Sequence, residues 1–420
     1  MRIVHAADLH VDSPLCGLER YEGAPVDAIR GATRRALENL VGLCLDEEAS
    51  LLLLAGDLFD GAWKDYGTGL FFAAQMMRLR EVGTHVVLVR GNHDAASEIT
   101  KHLRHPEHVR ELSTKKPETL VFEQAGVAVH GQGFASRAVA DDLAARYPAR
   151  RPDLLNIGLL HTSLTGRPLH DPYAPTTTEV LANKGYDYWA LGHVHAREVV
   201  SESPWIVFPG NVQGRHANEV GAKGATVVDV DGGRVVTVTP RVLDVVRWAR
   251  CEVDATGAAS ADEVVERART AIAEALRDAD GRVLCARVTV RGRSRAHDAI
   301  ATNVERWENE LRLAAISAGR DGVWIERVRF ETAPEVDIGA LGERDDALGE
   351  LWRSIREARA EGDALEAVRT ALAELRKRLP AEAVEGAPEL DFDTPEALVA
   401  LLDDVERTLL PRLLAREDGT

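Results

Sequence analysis

Five short segments gather aspartate, histidine and asparagine at close spacing: Asp8-x-His10, Gly56-Asp57-x-x-Asp60, Gly91-Asn92-His93-Asp94, His161 and Gly192-His193-x-His195. Each stands at the end of an apolar run that reads as a buried strand. Taken singly, such residues are ordinarily structural or solvated. As a set they are not, because a buried polar cluster has to be paired or metal-bound. Aspartate and histidine supply oxygen and nitrogen ligands suited to Mn, Fe or Zn, and asparagine adds a carbonyl oxygen without charge. A carboxylate lying between two cations holds them about 3.5–4 Å apart, a separation that clamps an in-line displacement at phosphorus. His93 follows Asn92 directly and is placed to protonate a leaving oxygen, with Asp94 or Asp60 orienting its ring.

The elements that must carry these residues follow from periodicity. Residues 2–7 and 50–55 are apolar runs that end at Asp8 and at Gly56-Asp57, and residues 84–89 end at the Arg90–Asp94 turn. Helical spacing over residues 27–45 and about 69–81 separates them. This alternation predicts an α/β layout, in which sites sit beyond the carboxyl ends of strands. Further on, residues 119–130, 154–160, 187–191, 197–200, 205–208, 224–230 and 233–239 read as short strands. They predict a second sheet built partly of hairpins, one of them turning at residues 229–233. Two packed sheets with helices outside account for residues 1–240. Residues 241–332 alternate strand and helix as a small α+β domain. Residues 333–420 form an acidic helical hairpin over 342–379 and 395–415, with Leu348, Leu351, Ile355, Leu365, Val368, Leu372 and Leu375 on one side. That hairpin is open to two readings, a pair packed on its own body or a docking surface for a partner helix.

Charge and composition limit the function classes. The net charge is -17 over 420 residues, opposite in sign to a simple nucleic-acid binder. Residues 331–420 hold 23 acids and 11 bases, a net of -12, which leaves -5 for residues 1–330. The body is still not basic, so an extended DNA surface would need a partner. No apolar run approaches the roughly 18 residues of a membrane span, nothing at the start resembles a signal peptide, and a cytoplasmic location is expected. Cys16, Cys44, Cys251 and Cys285 form no CxxC pair, and the last three read as buried apolar residues. Thirteen of the 14 histidines fall within the first 216 residues, which places the chemistry there.

The five motifs, in this order over residues 1–215, resemble the calcineurin-like metallophosphoesterases. The resemblance implies a four-layer αββα sandwich followed by a small α+β capping domain and a C-terminal helical segment. It also implies two divalent ions: Asp8, His10, Asp57 and His195 hold the first, and Asp57 bridges to a second completed by Asn92, His161 and His193. Mn²⁺ is the expected ion, with Fe, Zn and Mg as the other candidates. His93 becomes the catalytic histidine that binds no metal. RIVHAADLHVDSPL, LLLLAGDLFD and LLHTSL are similar to the bacterial DNA repair exonuclease branch, of SbcD and Mre type. FPGNVQGRHANEVGAKG, residues 208–224, resembles the YhaO-like members, and Asp60 stands where eukaryotic relatives have histidine. The implied function is a metal-dependent DNA exonuclease that hydrolyses phosphodiesters by two-metal activation of water. The implied partners are DNA, an SbcC/Rad-type ABC ATPase with a coiled coil, and a second copy of the chain; no membrane is involved.

Smaller expectations concern substrate contact. Arg215 and His216 lie in a glycine-rich loop that could meet a phosphate. Arg90 reads as structural, and His102, His105 and His108 as surface residues. Trp63 and Tyr66 suit either the rim of the site or burial against a helix. Arg291, Arg293 and Arg295 suit either a DNA-backbone contact or a solvated turn. Two other functions compete with the nuclease: a stand-alone phosphodiesterase or phosphatase acting on nucleotides or other small phosphoesters, and a DNA-tethering scaffold. A missing ligand would favour the scaffold, and none is missing.

Overall fold

The computed structural model describes residues 1–13, 29–60, 66–97, 104–166, 171–319, 322–335, 338–360, 369–370, 372 and 395–417. The expectations for Cys16, Trp63, His102, Leu365, Val368, Leu375 and the 380–394 connection lie outside the described residues.

The strands begin β1 (Arg2–Ala6), β2 (Leu51–Ala55), β3 (His85–Val89) and β4 (Val109–Glu111). Helix α1 (Ala32–Asp46) lies between β1 and β2, and α2 (Tyr66–Glu81) between β2 and β3; α3 (Asn92–Ala96) follows β3. Next come β5 (Glu118–Phe122), β6 (Val127–Gly131), β7 (Leu155–His161), α4 (Thr178–Asn183), β8 (Tyr188–Gly192), β9 (Glu198–Glu202), β10 (Trp205–Phe208), β11 (Gly224–Asp231) and β12 (Arg234–Val242). One sheet runs in the order β12-β11-β1-β2-β3-β4 and the other β5-β6-β7-β8-β10-β9. Both are mixed. The centres β1-β2-β3-β4 and β6-β7-β8-β10 are parallel, and the antiparallel strands sit outside them.

Two strand assignments differ from the sequence reading. Residues 119–130 are an antiparallel hairpin, β5 and β6, broken by a short 3-10 turn that ends at left-handed Gly126. The β11–β12 hairpin extends the first sheet, because β11 pairs with β1 from Arg2↔Asp229 to His5↔Thr226. Hairpin patterning reports local pairing but not which sheet edge receives it.

Successive side chains of a strand face opposite ways, and β1 shows what that produces. Val4 and Ala6 join a cluster with Leu37, Leu40, Phe72 and Met76 of the flanking helices. Ile3 and Ala7 face the other way, with Leu53, Val87, Ile157, Leu159 and Ala190, into the space between the sheets. A further cluster around Trp189, Leu160, Phe208 and Leu181 covers the outer face of the second sheet. The result is an α/β sandwich of two mixed sheets flanked by helices, and the layer outside the second sheet consists mostly of loops with α4.

His5 is the polar residue on the inward face of β1. It is fully buried, donating from Nε2 to the Leu191 carbonyl at 3.1 Å and lying 2.9 Å from the Tyr188 hydroxyl through Nδ1. Burial pulls its pKa down to about 3. The folded chain therefore binds this proton less readily than the unfolded chain, whose histidine titrates near 6.5. Stability from this source is complete above pH 6.5 and is lost as pH falls towards 3. Between pH 7.5 and 4.5 the wild type should lose about 2–3 kcal/mol more than His5→Gln. Urea unfolding at the two pH values measures this, and equal losses would remove His5 as the cause.

By packing, the chain divides into two units: Met1–Arg250 with Ala275–Ala286 and Asp321–Glu326, and Cys251–Glu274 with Arg287–Arg320 and Arg327–Thr420. The later elements are β13 (Val246–Asp254), α5 (Ala261–Asp278), β14 (Val283–Arg293), α6 (His297–Thr302), α7 (Val304–Gly319), β15 (Val323–Ala333), α8 (Ala347–Ala360) and α9 (Pro395–Glu417). The three strands form a sheet of their own in the order β13-β14-β15. The helical stretch between β14 and β15 is divided at Asn303, between α6 and α7. In the second unit Leu341, Leu348, Ile355 and Leu410 make a small core between α8 and α9. Cys44, Cys251 and Cys285 are buried and unbridged. Among the described residues no helix is long and apolar enough to cross a membrane.

Candidate metal centre

The site lies at the carboxyl ends of β1, β2, β3, β7 and β8, where the chain makes a series of uncommon turns. Asp8 (φ 53°), His10 (φ 43°), Asp57 (φ 55°) and His193 (φ 100°) all adopt left-handed backbone conformations. For residues with a Cβ this costs free energy, and such conformations gather at functional sites. The turns are braced across strands. Asp8 N–H donates to the Gly56 carbonyl at 3.0 Å, His10 N–H to that of Asp57 at 3.0 Å, and Val11 N–H to that of Leu58 at 2.9 Å. A Cβ on Gly91 would stand 2.3 Å from Asp57 Oδ1, so the Asn92 turn reaches the site only because residue 91 is glycine.

Two groups of donor atoms result. Asp8, His10 and His195 present ligand atoms within 4.8 Å of one another, and Asp57, His161 and His193 do the same. Asp57 Oδ2 lies 3.5 Å from His161 Nε2 and 4.0 Å from His10 Nε2, between the groups. Asn92 joins the second group, with Oδ1 3.0 Å from His161 Nε2.

The donor chemistry fits a pair of divalent cations. His161 Nδ1 faces the Ala55 carbonyl at 2.9 Å, which can only accept, so Nδ1 carries the proton and Nε2 turns a lone pair towards Asn92 and Asp57. His10 Nδ1 donates to Asp60 at 2.7 Å and His195 Nδ1 to Glu219 at 2.7 Å. Their Nε2 atoms, each with a lone pair, then face one another at 3.4 Å. His193 Nε2 donates to the Asp171 carbonyl at 2.9 Å. Lone pairs and carboxylates thus converge from several strands. Burial, then the neighbouring charge of Asp57, push the Asp8 carboxyl well above its usual range. Burial, then the nearby Arg215, pull His10 down to about 4. Cations between these groups answer both the carboxylate repulsion and the facing lone pairs.

His10, Asp60 and His93 also lie close together, but there the closeness is hydrogen bonding. Asp60 Oδ1 sits 2.7 Å from His10 Nδ1 and 3.1 Å from His93 Nδ1. Burial opposes ionisation of Asp60, yet these two histidines outweigh it and hold its carboxyl far below the usual range. Of the two carboxylates expected to orient His93, it is Asp60 that meets the ring. Asp94 turns elsewhere, accepting the main-chain N–H of Leu58 (2.9 Å), Phe59 (3.0 Å) and Gly91 (3.0 Å). It ties the Asp57 turn to the Asn92 turn and makes no contact with the imidazole, which corrects its expected role as an orienting group.

A cavity of about 480 Å³ opens over the centre, lined among others by His93, Asp171, Tyr173, Arg215, His216 and Lys223. Arg215 Nη1 lies 3.7 Å from Asp60, while its Nη2 lies 3.2 Å from Glu219. His216 lines the cavity as a more exposed residue, 3.4 Å from Glu219. Lys223 donates to the His195 carbonyl at 2.7 Å. Asp171, Tyr173, Glu219 and Lys223 were not singled out in the sequence; Glu219, four residues beyond Arg215, was the one with a local signal. Arg90 is structural as expected, paired with Glu111 at 2.6 Å. His105 and His108 are less exposed than expected, against Glu111 (3.2 Å) and the Met76 carbonyl (2.8 Å). Arg291 pairs with Glu331 and Glu252, and Arg295 with Glu335, so those two arginines are locally neutralised.

Two groups that could each hold a cation, with the Asp57 carboxylate between them at the strand ends of a two-sheet sandwich, fit the class of metal-dependent phosphoesterases. Comparison with known proteins agrees. The family model for the calcineurin-like phosphoesterases matches residues 1–197, and that for the middle domain of metallophosphoesterase YhaO matches residues 248–333. By these matches residues 1–197 are a calcineurin-like phosphoesterase domain, and residues 248–333 are similar to the domain that follows it in YhaO. A Bacillus subtilis protein named uncharacterized metallophosphoesterase YhaO is 37% identical over 262 residues, 61% of this chain and 64% of that one. The DNA double-strand break repair protein Mre11 of Methanopyrus kandleri is 30% identical over 240 residues, 50% of this chain and 48% of that one. The matches therefore span less than two thirds of either relative's length. A dimetal phosphatase structure from Danio rerio aligns over 58% of this chain and 97% of its own at 11% identity with a TM-score of 0.34, too low to carry an argument.

Proposed function

We propose that this chain is a hydrolase of small phosphodiesters and phosphomonoesters, nucleotides among them, acting through a dinuclear centre. Asp8, His10, Asp57 and His195 would hold one ion, and Asp57, Asn92, His161 and His193 the other. The observation that carries the reading is Asp57 between two converging groups of acceptor atoms, beneath a cavity large enough for a small ester. When bound, the ions supply Lewis-acid polarisation of phosphoryl oxygens and activation of water. The chain's own residues do the rest. Arg215 offers a guanidinium to a non-bridging phosphoryl oxygen, and His93, held by Asp60, gives its proton to the ester oxygen as the P–O bond breaks. The neutralised Arg291 and Arg295 and the net charge of -17 favour a small substrate over a long polyanion.

A second reading, DNA-end exonuclease, is favoured by the several Mre11-named relatives. On that reading DNA, a coiled-coil ABC ATPase and a second copy of the chain are the proposed partners, with the ATPase supplying positive surface. One assay separates the two. Protein stripped with EDTA and then reloaded, with Mn²⁺ tried first, is offered bis-p-nitrophenyl phosphate, a dinucleotide and linear duplex DNA. Stripping should abolish hydrolysis and reloading restore it, on the small esters before DNA. Release of nucleotides from duplex ends with the small esters intact would replace the first reading by the second. Hydrolysis that survives stripping would overturn both.

A further inference from the structure

The loop after β10 carries a carboxylate that the reaction above leaves without a task. Glu219 is buried, 7% exposed, and its two oxygens gather an unusual number of donors. Oε1 lies 2.7 Å from His195 Nδ1, 3.2 Å from Arg215 Nη2 and 3.4 Å from His216 Nε2. Oε2 accepts from Asn211 Nδ2 at 2.8 Å and from the Arg215 main-chain N–H at 2.8 Å. A brace for the loop would need only the Oε2 contacts. The Oε1 contacts run to side chains that face the centre and its cavity.

What Oε1 does follows from imidazole chemistry. Accepting the Nδ1 proton of His195 fixes the tautomer and leaves the Nε2 lone pair aimed towards His10 and Asp8. The same oxygen attracts Arg215, whose other amino group reaches towards Asp60 at 3.7 Å. The guanidinium is thereby strung between two carboxylates over the cavity and does not swing into solvent. We propose that Glu219 is the positioning residue of this centre, setting the His195 ligand and the Arg215 phosphoryl contact together. The proposal rests on the dinuclear phosphoesterase reading and adds a residue outside the metal-binding motifs.

Glu219→Gln tests it in the full-length chain. Glutamine keeps the shape but has one oxygen, so an NH₂ must face either His195 and Arg215 or the Asn211 and main-chain donors. The first readout is Mn²⁺ titration of the metal-free protein, followed by thermal unfolding without metal and by kcat and KM on bis-p-nitrophenyl phosphate. One of the two ions should bind about 10–100-fold more weakly, kcat/KM should fall, and Glu219→Asp, which keeps the charge, should recover part of both. Unaltered uptake, or a less stable metal-free protein whose uptake is unaltered, would reduce Glu219 to a loop brace. If Glu219→Gln does not fold, ring-nitrogen NMR of the metal-free wild type decides, assigned against His195→Ala. A proton on Nδ1 of His195 supports the proposal, and one on Nε2 overturns it. A wild type that takes up fewer than two ions would sink the dinuclear reading itself, a result distinct from a failure of Glu219 alone.

Discussion

His93→Ala should lower kcat on a phosphodiester with an alkoxide leaving group about 10²–10⁴-fold while leaving metal uptake unaltered. The basis is position. The ring borders the cavity with its side chain 38% exposed, bonded through Nδ1 to Asp60, so the other nitrogen is the one available to substrate. Burial opposes the charged ring, but Asp60 and the charge of Asp57 outweigh it and raise the His93 pKa, as suits a proton donor. The size of the loss should depend on the leaving group. An alkoxide needs the proton and p-nitrophenolate scarcely does, so the variant should be much less impaired on the nitrophenyl ester. Equal losses on both substrates, or a loss of bound metal, would place His93 outside proton transfer.

Gly192→Ala should lower stability by about 3 kcal/mol or more and impair uptake of both ions, although it adds one methyl group. A Cβ at this position would lie 1.9 Å from the Ala55 carbonyl oxygen and 3.1 Å from Ala7 Cβ. Ala55 ends β2 of the first sheet, Ala7 directly follows β1 and Gly192 ends β8 of the second, so the two sheets touch here through main chain. Main chain cannot rotate away, which puts the cost at or beyond the upper end of ordinary overpacking. The same carbonyl accepts from His161 at 2.9 Å, so forcing the sheets apart also shifts a member of the second donor group. Gly42→Ala in α1 is the control. Its Cβ would meet nothing within 4 Å, and a gain of about 0.5–1 kcal/mol is expected. Urea unfolding and metal content of the two variants measure the contrast, and similar stabilities would dismiss the close contact.

The residues of the two donor groups were legible because each stands where an apolar run stops, and a run such as residues 51–55 has few interpretations other than a buried strand. Asp60 and Asp94 show the limit. Asp94 adjoins His93 in its own motif and Asp60 ends another, and either satisfied the sequence; only the fold turns Asp94 onto the main chain of residues 58, 59 and 91. Glu219 was missed for a related reason. It belongs to none of the five metal-ligand motifs, and its meeting with His195 depends on how residues 209–224 close over the centre, a tertiary contact that periodicity does not encode. The β11–β12 hairpin was recognised as a hairpin and assigned to the other sheet, since joining β1 is a long-range choice.

The left-handed turns at Asp8, His10, Asp57 and His193 bear on how this chain can change over time. At such angles glycine is the least strained residue, so substitutions that relieve strain are only one or two base changes away. Selection for folding alone would drift towards them. Glycine offers no side-chain donor to an ion, so on the dinuclear reading relief of strain and retention of chemistry pull these positions in opposite directions. A descendant that had exchanged the four for glycine would be a sturdier protein without the donors its proposed reaction uses.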